Sequence, residues 1–339
     1  MYVLLALLLL GVLVIAHEFG HFLAARLCGI EVMEFSVGMG PLLLKHMGKD
    51  GTQYSVRLLP IGGFCQFRGE DEASDDPRSF GKQKIWKRFV TVFSGPAMNF
   101  VIAVTVIILY LSLLGLPVTV PKAAELEENA VAAGMLLGDE IISVNGVETA
   151  DTNAVAQAIT SCGGQPVELG ILREGGEIQL TVPPFYDEAE QRYRIGITFA
   201  QERQRISLLE SVPFSFAYNA ESVRLIVDTL RNLVFKGEGA DQVTGPVGTV
   251  YVIQDVTQKG GIDVYLELLA LISVNLGVMN LLPIPGLDGS RLLFLAVEKI
   301  RRKPVRAELE GMIHMGGLVL LLGLMVVLTY QDILRIFFK

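Results

Sequence analysis

His17-Glu18-Phe19-Gly20-His21 sets two imidazoles four residues apart, with a carboxylate beside the first. On a helix, positions 17 and 21 lie one turn apart on one face, so both rings can bind a single zinc ion. Glu18 is then placed to take a proton from an attacking water. The motif follows sixteen residues without a charge. An ionisable side chain in the middle of a bilayer costs about 2.5–3.5 kcal/mol unless it is paired or liganded, so a functional role is the default for this cluster.

A catalytic zinc takes three protein ligands and keeps one position open. The extended pattern H-E-x-x-H-x-x-G-x-x-H fails here, because positions 24 and 27 are Ala24 and Leu27. The third ligand must therefore come from another helix. Asp288 leads, within Asn280-Leu281-Leu282-Pro283-Ile284-Pro285-Gly286-Leu287-Asp288-Gly289. At 1.5 Å per residue His17 lies about 22 Å along its helix, in the last third of a hydrocarbon core about 30 Å thick. Counted from Tyr265, Asp288 reaches a similar depth. Pro283, Pro285 and Gly286 must break the helix there, which is tolerated only beside protein or a water-filled cavity. His314 reaches a comparable depth and stays open as an alternative ligand; Glu267 sits at the wrong end of its helix. Asn280 is a candidate to hydrogen-bond the substrate backbone or a developing oxyanion, against a purely structural role at the proline break.

These residues need a membrane scaffold, and the composition supplies one. Of 339 residues, 51% are apolar and 19% charged, against roughly 25% charged in ordinary globular chains. Four stretches suit crossing helices: 1–30, 89–117, 263–300 with the proline break, and 311–334. The first lacks a basic leader and a small-residue cleavage site, so a retained anchor is expected rather than a signal peptide. Residues 26–88 hold ten Lys and Arg, and the loop 299–306 holds five in eight residues. Residues 122–210 hold six against fifteen Asp and Glu. The positive-inside rule then puts both basic loops in the cytoplasm, the acidic segment and both termini outside, and the HExxH motif toward the cytoplasmic side. A net charge of −8 argues against nucleic acid as a partner. Cys28, Cys65 and Cys162 form no metal or disulfide pattern and are expected to pack.

Between the helices, 33–44 and 52–67 are β-prone and apolar around the turn Gly48-Lys49-Asp50-Gly51, so 31–68 is expected to form a membrane-associated hairpin. Residues 69–88 follow as a charged, exposed connector. Residues 118–200 are expected to form an inserted α+β domain. Its segment 133–146 combines a helix-start turn at Gly138-Asp139, a strand over 141–144 and an Asn145-Gly146 turn, and resembles a PDZ domain. Arg194-Ile195-Gly196-Ile197 is its best candidate for a carboxylate-binding loop. Residues 201–262 are expected to form an extracytoplasmic amphipathic helix and a linker.

Taken together, the chain resembles the site-2 protease family of intramembrane zinc metalloproteases, most closely the bacterial RseP type. His17, Glu18, His21 and the segment 280–289 match both family motifs in order and spacing. Phe93-Ser94-Gly95-Pro96-Ala97-Met98-Asn99-Phe100 resembles the Gly-x-x-x-Asn segment of the second core helix, where Asn99 is expected to serve packing. Residues 34–41, 59–63 and 245–248 fit as well. The resemblance implies a zinc cofactor, Asp288 as third ligand and Glu18 as general base and then acid. It also implies cleavage within transmembrane segments of single-pass proteins trimmed beforehand by another protease, such as anti-sigma factors, or of signal-peptide remnants, in a bacterial cell membrane. The best-known relatives carry two tandem PDZ domains; this chain has room for one. A metal transporter would explain the buried His and Asp but gives Glu18 no task. A membrane PDZ adaptor leaves the buried charges as an unexplained cost.

Overall fold

The computed structural model describes residues 2–70, 74–188, 190–239, 243–303, 305 and 307–337, so parts of the expected connector (71–73) and of the basic loop (304, 306) lie outside it. The chain divides into two compact units, Met1–Leu111 with Ser207–Lys339, and Ser112–Ile206. Four helices are long and apolar enough to cross a membrane: Tyr2–Cys28, Ile85–Leu114, Pro246–Leu281 and Leu309–Ile336.

Helix α1 (Tyr2–Cys28) is a run of Leu, Val and Ala up to His17, and in hydrocarbon such a segment must satisfy its own backbone. It stops at Gly29, which takes φ +74°, while the Ile30 N–H closes on the Ala25 carbonyl at 2.9 Å. Strands β1 (Val32–Met47) and β2 (Gln53–Phe67) pair antiparallel as the expected hairpin. The hairpin is folded on itself. Phe35 faces both Cys65 and Tyr54, and Val37 faces both Gly63 and Val56, while the outer ends pair Leu42 with Arg57 and Met47 with Gln53. The chain turns at Gly38 (φ +85°), where any Cβ would lie 2.5 Å from the Leu59 carbonyl oxygen. The hairpin leans on α1 through Phe22, whose ring lies 5.3 Å from Phe35 and 6.0 Å from Tyr54.

The connector is less exposed than its charge suggests. Phe80 is buried and stacks on Phe67 at 5.6 Å, and Glu70 pairs with Arg291. Charge drew the expectation; aromatic burial decides the outcome. Helix α2 (Ile85–Leu114) follows, with Pro96 inside it.

The second unit runs from β3 (Leu116–Leu126) through α3 (Glu128–Ala132), β4 (Glu140–Val144), β5 (Val147–Glu148), α4 (Thr152–Ser161), β6 (Val167–Arg173), β7 (Gly176–Val182), β8 (Phe185–Asp187) and β9 (Arg192–Arg194) to β10 (Ile197–Gln204). The sheet order is β10-β3-β4-β6-β7, with β5 paired to β4. Inward residues of the sheet and α4, among them Ile141, Val155, Leu169 and Ile171, make its core. Asn145 and Gly146 both take positive φ in the β4–β5 turn, as the Asn-Gly pair predicts. No helix starts at Gly138-Asp139, contrary to expectation. The Asp139 carboxylate instead binds the Leu136 N–H at 2.8 Å and the Arg173 guanidinium at 2.7 Å, and the chain enters β4.

Helix α5 (Leu208–Lys236) opens with a capping box, Ser207 and Glu210 exchanging side-chain and backbone hydrogen bonds. Helix α6 (Pro246–Leu281) starts well before the expected span at 263, in a stretch read as linker. Two local features explain the extension. Pro246 occupies the first turn, and the buried Asp332 carboxylate accepts the Gly245 and Gly248 N–H groups at 3.1 and 2.7 Å. The helix is interrupted at Gly261 (φ +69°), which makes the Gly260-Gly261 pair a kink rather than a boundary. After the break at 282–287 come α7 (Asp288–Arg301) and α8 (Ala307–Phe337), which carries Asp332.

Candidate metal centre

Three elements converge on the HExxH face of α1. His17 and His21 are 8% and 7% exposed; one helical turn puts them on the same face, and their Nε2 atoms lie 3.2 Å apart. The proline break ends α6 at Leu281 and restarts the chain at Asp288, in the first turn of α7. Asp288 Oδ2 thereby comes within 3.0 Å of His17 Nε2 and 3.4 Å of His21 Nε2. Gly289 permits this tight return, since a Cβ there would strike the carbonyls of Leu281 and Leu282.

These donors suit a zinc ion. Ligands about 2.0–2.1 Å from a tetrahedral metal stand about 3.3 Å from one another, and the three observed separations bracket that value. Asp288 Oδ2 is buried with no hydrogen-bond donor of its own, as a ligating oxygen should be. Among the described residues, these three form the one group of His, Cys, Asp or Glu placed to share a metal. Glu18 lies outside the group but beside it.

Helix α2 supports the rings from behind. His21 Nδ1 donates to the Thr91 carbonyl at 2.9 Å, and Asn99, fully buried, meets His17 Nδ1 at 3.3 Å. Gly95, between them, leaves the space that the His21 ring fills. The helices touch closely at Gly20, whose carbonyl accepts from Ser94 Oγ at 2.8 Å. Sequence reasoning gave Asn99 a packing role and overlooked Thr91. Spacing of four among 91, 95 and 99 was the available signal, matching the four between the histidines.

A cavity of about 720 Å³ opens onto the cluster, lined among others by Glu18, Asn280, Asp288 and His314. The hairpin forms one side, where a Cβ at Gly63 would touch Glu18 Cγ at 3.4 Å. His314 reaches the depth expected of it but stays out of the ligand cluster; its Nδ1 accepts the Gly286 N–H at 3.3 Å. Glu267 is engaged elsewhere, accepting from the Tyr110 hydroxyl at 2.6 Å. In the second unit, Arg194 is not free to receive a peptide carboxylate. Glu127, Asp187 and Glu190 hold its guanidinium at 2.6, 3.2 and 3.4 Å, and Ile195 is buried. Acids from neighbouring segments thus occupy the guanidinium that the loop's single arginine would have offered.

The model of peptidase family M50 matches residues 5–324. The chain belongs to peptidase family M50. It is similar to the zinc metalloprotease RasP of Geobacillus kaustophilus, 31% identical with 96% of each chain covered. It is also similar to the regulator of sigma-W protease RasP of Bacillus subtilis, 28% identical with 97% of each covered. The latter alignment runs over 413 positions, so that relative carries residues this 339-residue chain lacks. As an M50 member the chain is a membrane zinc metalloprotease of the site-2 type, and the transporter and adaptor alternatives fall away.

Proposed function

We propose that the chain hydrolyses peptide bonds inside transmembrane segments of single-pass membrane proteins, near the cytoplasmic face of a bacterial cell membrane. His17, His21 and Asp288 hold the zinc, and Glu18 is the catalytic base. The observation that carries this is a three-donor cluster with an adjacent carboxylate, opening into a cavity within a unit whose long helices suit a bilayer. Bound there, zinc supplies Lewis-acid polarisation of water and carbonyl. Glu18 takes the proton of the attacking water and passes it to the departing amine. Asn280, on the cavity wall, donates to the substrate's carbonyl oxygen. A helical substrate must unwind first, and the strand ending at Phe67 offers an edge for the extended chain.

Unit Ser112–Ile206 is read as a PDZ-like domain outside the cytoplasm, as its scarcity of Lys and Arg beside the basic loops 26–88 and 299–306 supports. With Arg194 already paired, its role is to obstruct substrates that keep large ectodomains rather than to bind their termini. Substrates are then stubs trimmed by another protease; anti-sigma factors fit this class, in keeping with the name of the Bacillus relative. The test is co-expression with a single-pass stub. Wild type should cut it within the membrane, and Glu18→Gln should keep its zinc while cleavage falls at least 100-fold. Substantial cleavage by that variant removes Glu18 from the mechanism.

A further inference from the structure

A histidine that ligates through Nε2 must present a lone pair there, so its one ring proton must sit on Nδ1 and find an acceptor. His21 meets this requirement through the Thr91 carbonyl at 2.9 Å. His17 has Asn99 at the same place, its amide 3.3 Å from Nδ1. With the NH2 end toward the ring, Nδ1 accepts, and the ring proton is left on Nε2, aimed at His21 and Asp288. That arrangement opposes ligation. It also leaves Asn99 Oδ1 buried without a donor. The two ends of a carboxamide occupy nearly the same space, and half a turn sets Oδ1 against Nδ1–H.

We propose that Asn99 is a positioning residue for His17: its side-chain oxygen accepts the Nδ1 proton and holds the ring in the tautomer that ligates zinc. Two further observations support it. Asn99 is fully buried, and its backbone carbonyl is pinned by Ser273 Oγ at 2.7 Å, from the helix that leads into the Asp288 segment. Thr91, Gly95 and Asn99 also recur every four residues on α2, opposite two histidines spaced by four on α1. One helix face thus serves both rings, with a carbonyl for one, an amide oxygen for the other and room between.

The inference rests on His17 being a ligand, and the experiment separates the two claims. Zinc affinity is measured by chelator competition on the full chain in detergent, for wild type, Asn99→Asp, Asn99→Leu and His17→Ala. Asn99→Leu, which has no acceptor, should bind zinc about 10–100-fold more weakly. Asn99→Asp, which accepts but does not donate, should stay within about threefold of wild type. If Asn99→Asp loses as much as Asn99→Leu, the amide acts as a donor or a packing group and the proposal is overturned. Wild-type affinity in Asn99→Leu overturns it equally, provided His17→Ala has lost zinc. His17→Ala at full affinity sinks the ligand assignment instead. Should Asn99→Leu fail to fold, the Asp variant still decides: tight zinc supports the acceptor role and weak zinc refutes it.

Discussion

Gly95→Ala adds one methyl and no polar atom, yet it should disable the metal centre. An ideal Cβ at position 95 would lie 2.8 Å from His21 Cδ2 and closer still to Nε2 and Cε1. Carbon contacts prefer about 3.5–4.0 Å, so the ring must retreat by about 1 Å. Neither partner yields easily. Ser94 Oγ ties α2 to the Gly20 carbonyl, and Thr91 holds the other side of the His21 ring. Zinc–ligand distances tolerate only about 0.2 Å, so zinc affinity should fall at least 100-fold. Cleavage should fall by a similar factor, as misplacement by about 1 Å costs in other enzymes. Alanine is the better helix former by about 1 kcal/mol, so backbone propensity does not predict unfolding. The assay is zinc content and chelator competition in detergent, with cleavage of a transmembrane stub in parallel and a melting curve to confirm the fold. Gly316→Ala, where an added Cβ meets open space, is the control and should match wild type. Gly95→Ala with full zinc and full activity would refute the seating of His21 against α2.

Asp288→Ala should lose most of the zinc while His314→Ala keeps it, read by metal analysis; the reverse result makes His314 the ligand. In the second unit, the Arg173 hydrogen bond holds the Asp139 carboxyl below the usual carboxylate range. A carboxylate depressed on folding stabilises above its unfolded value, about 3.9, and that stability is lost as pH falls through the folded value. Protection of 139–182 against hydrogen exchange, relative to the intrinsic rate at each pH, should therefore fall below about pH 4. Arg173→Met should destabilise the unit by about 1–3 kcal/mol at neutral pH and flatten that dependence; unchanged exchange would deny the pair its role. Replacing 122–200 by a short linker should leave zinc and stub cleavage intact and admit substrates with ectodomains; loss of stub cleavage would show that the domain binds substrate or assembles the site.

The sequence alone determined what is local. Two histidines four apart on an apolar run must face one way, so their sharing of one helix face was legible before any fold. Four long apolar helices were legible from the same kind of pattern, because hydrocarbon allows the backbone no other open solution. The paired strands 32–47 and 53–67 and the Asn145-Gly146 turn follow from residue type and spacing as well. Tertiary structure decided what lies between elements. Asp288 was one of two candidates by depth, and only helix packing carries it across 271 positions to His17 while turning His314 toward the Gly286 amide. The early start of α6 depends on Asp332, 86 residues beyond Pro246, whose carboxylate satisfies N–H groups that a linker would have left to water. Arg194 looked free until its three acids were seen around it. Hydrophobic period and turn chemistry are written along the chain, whereas a partner across a packed interface is chosen by shape and unmet hydrogen bonds, which no single stretch of sequence contains.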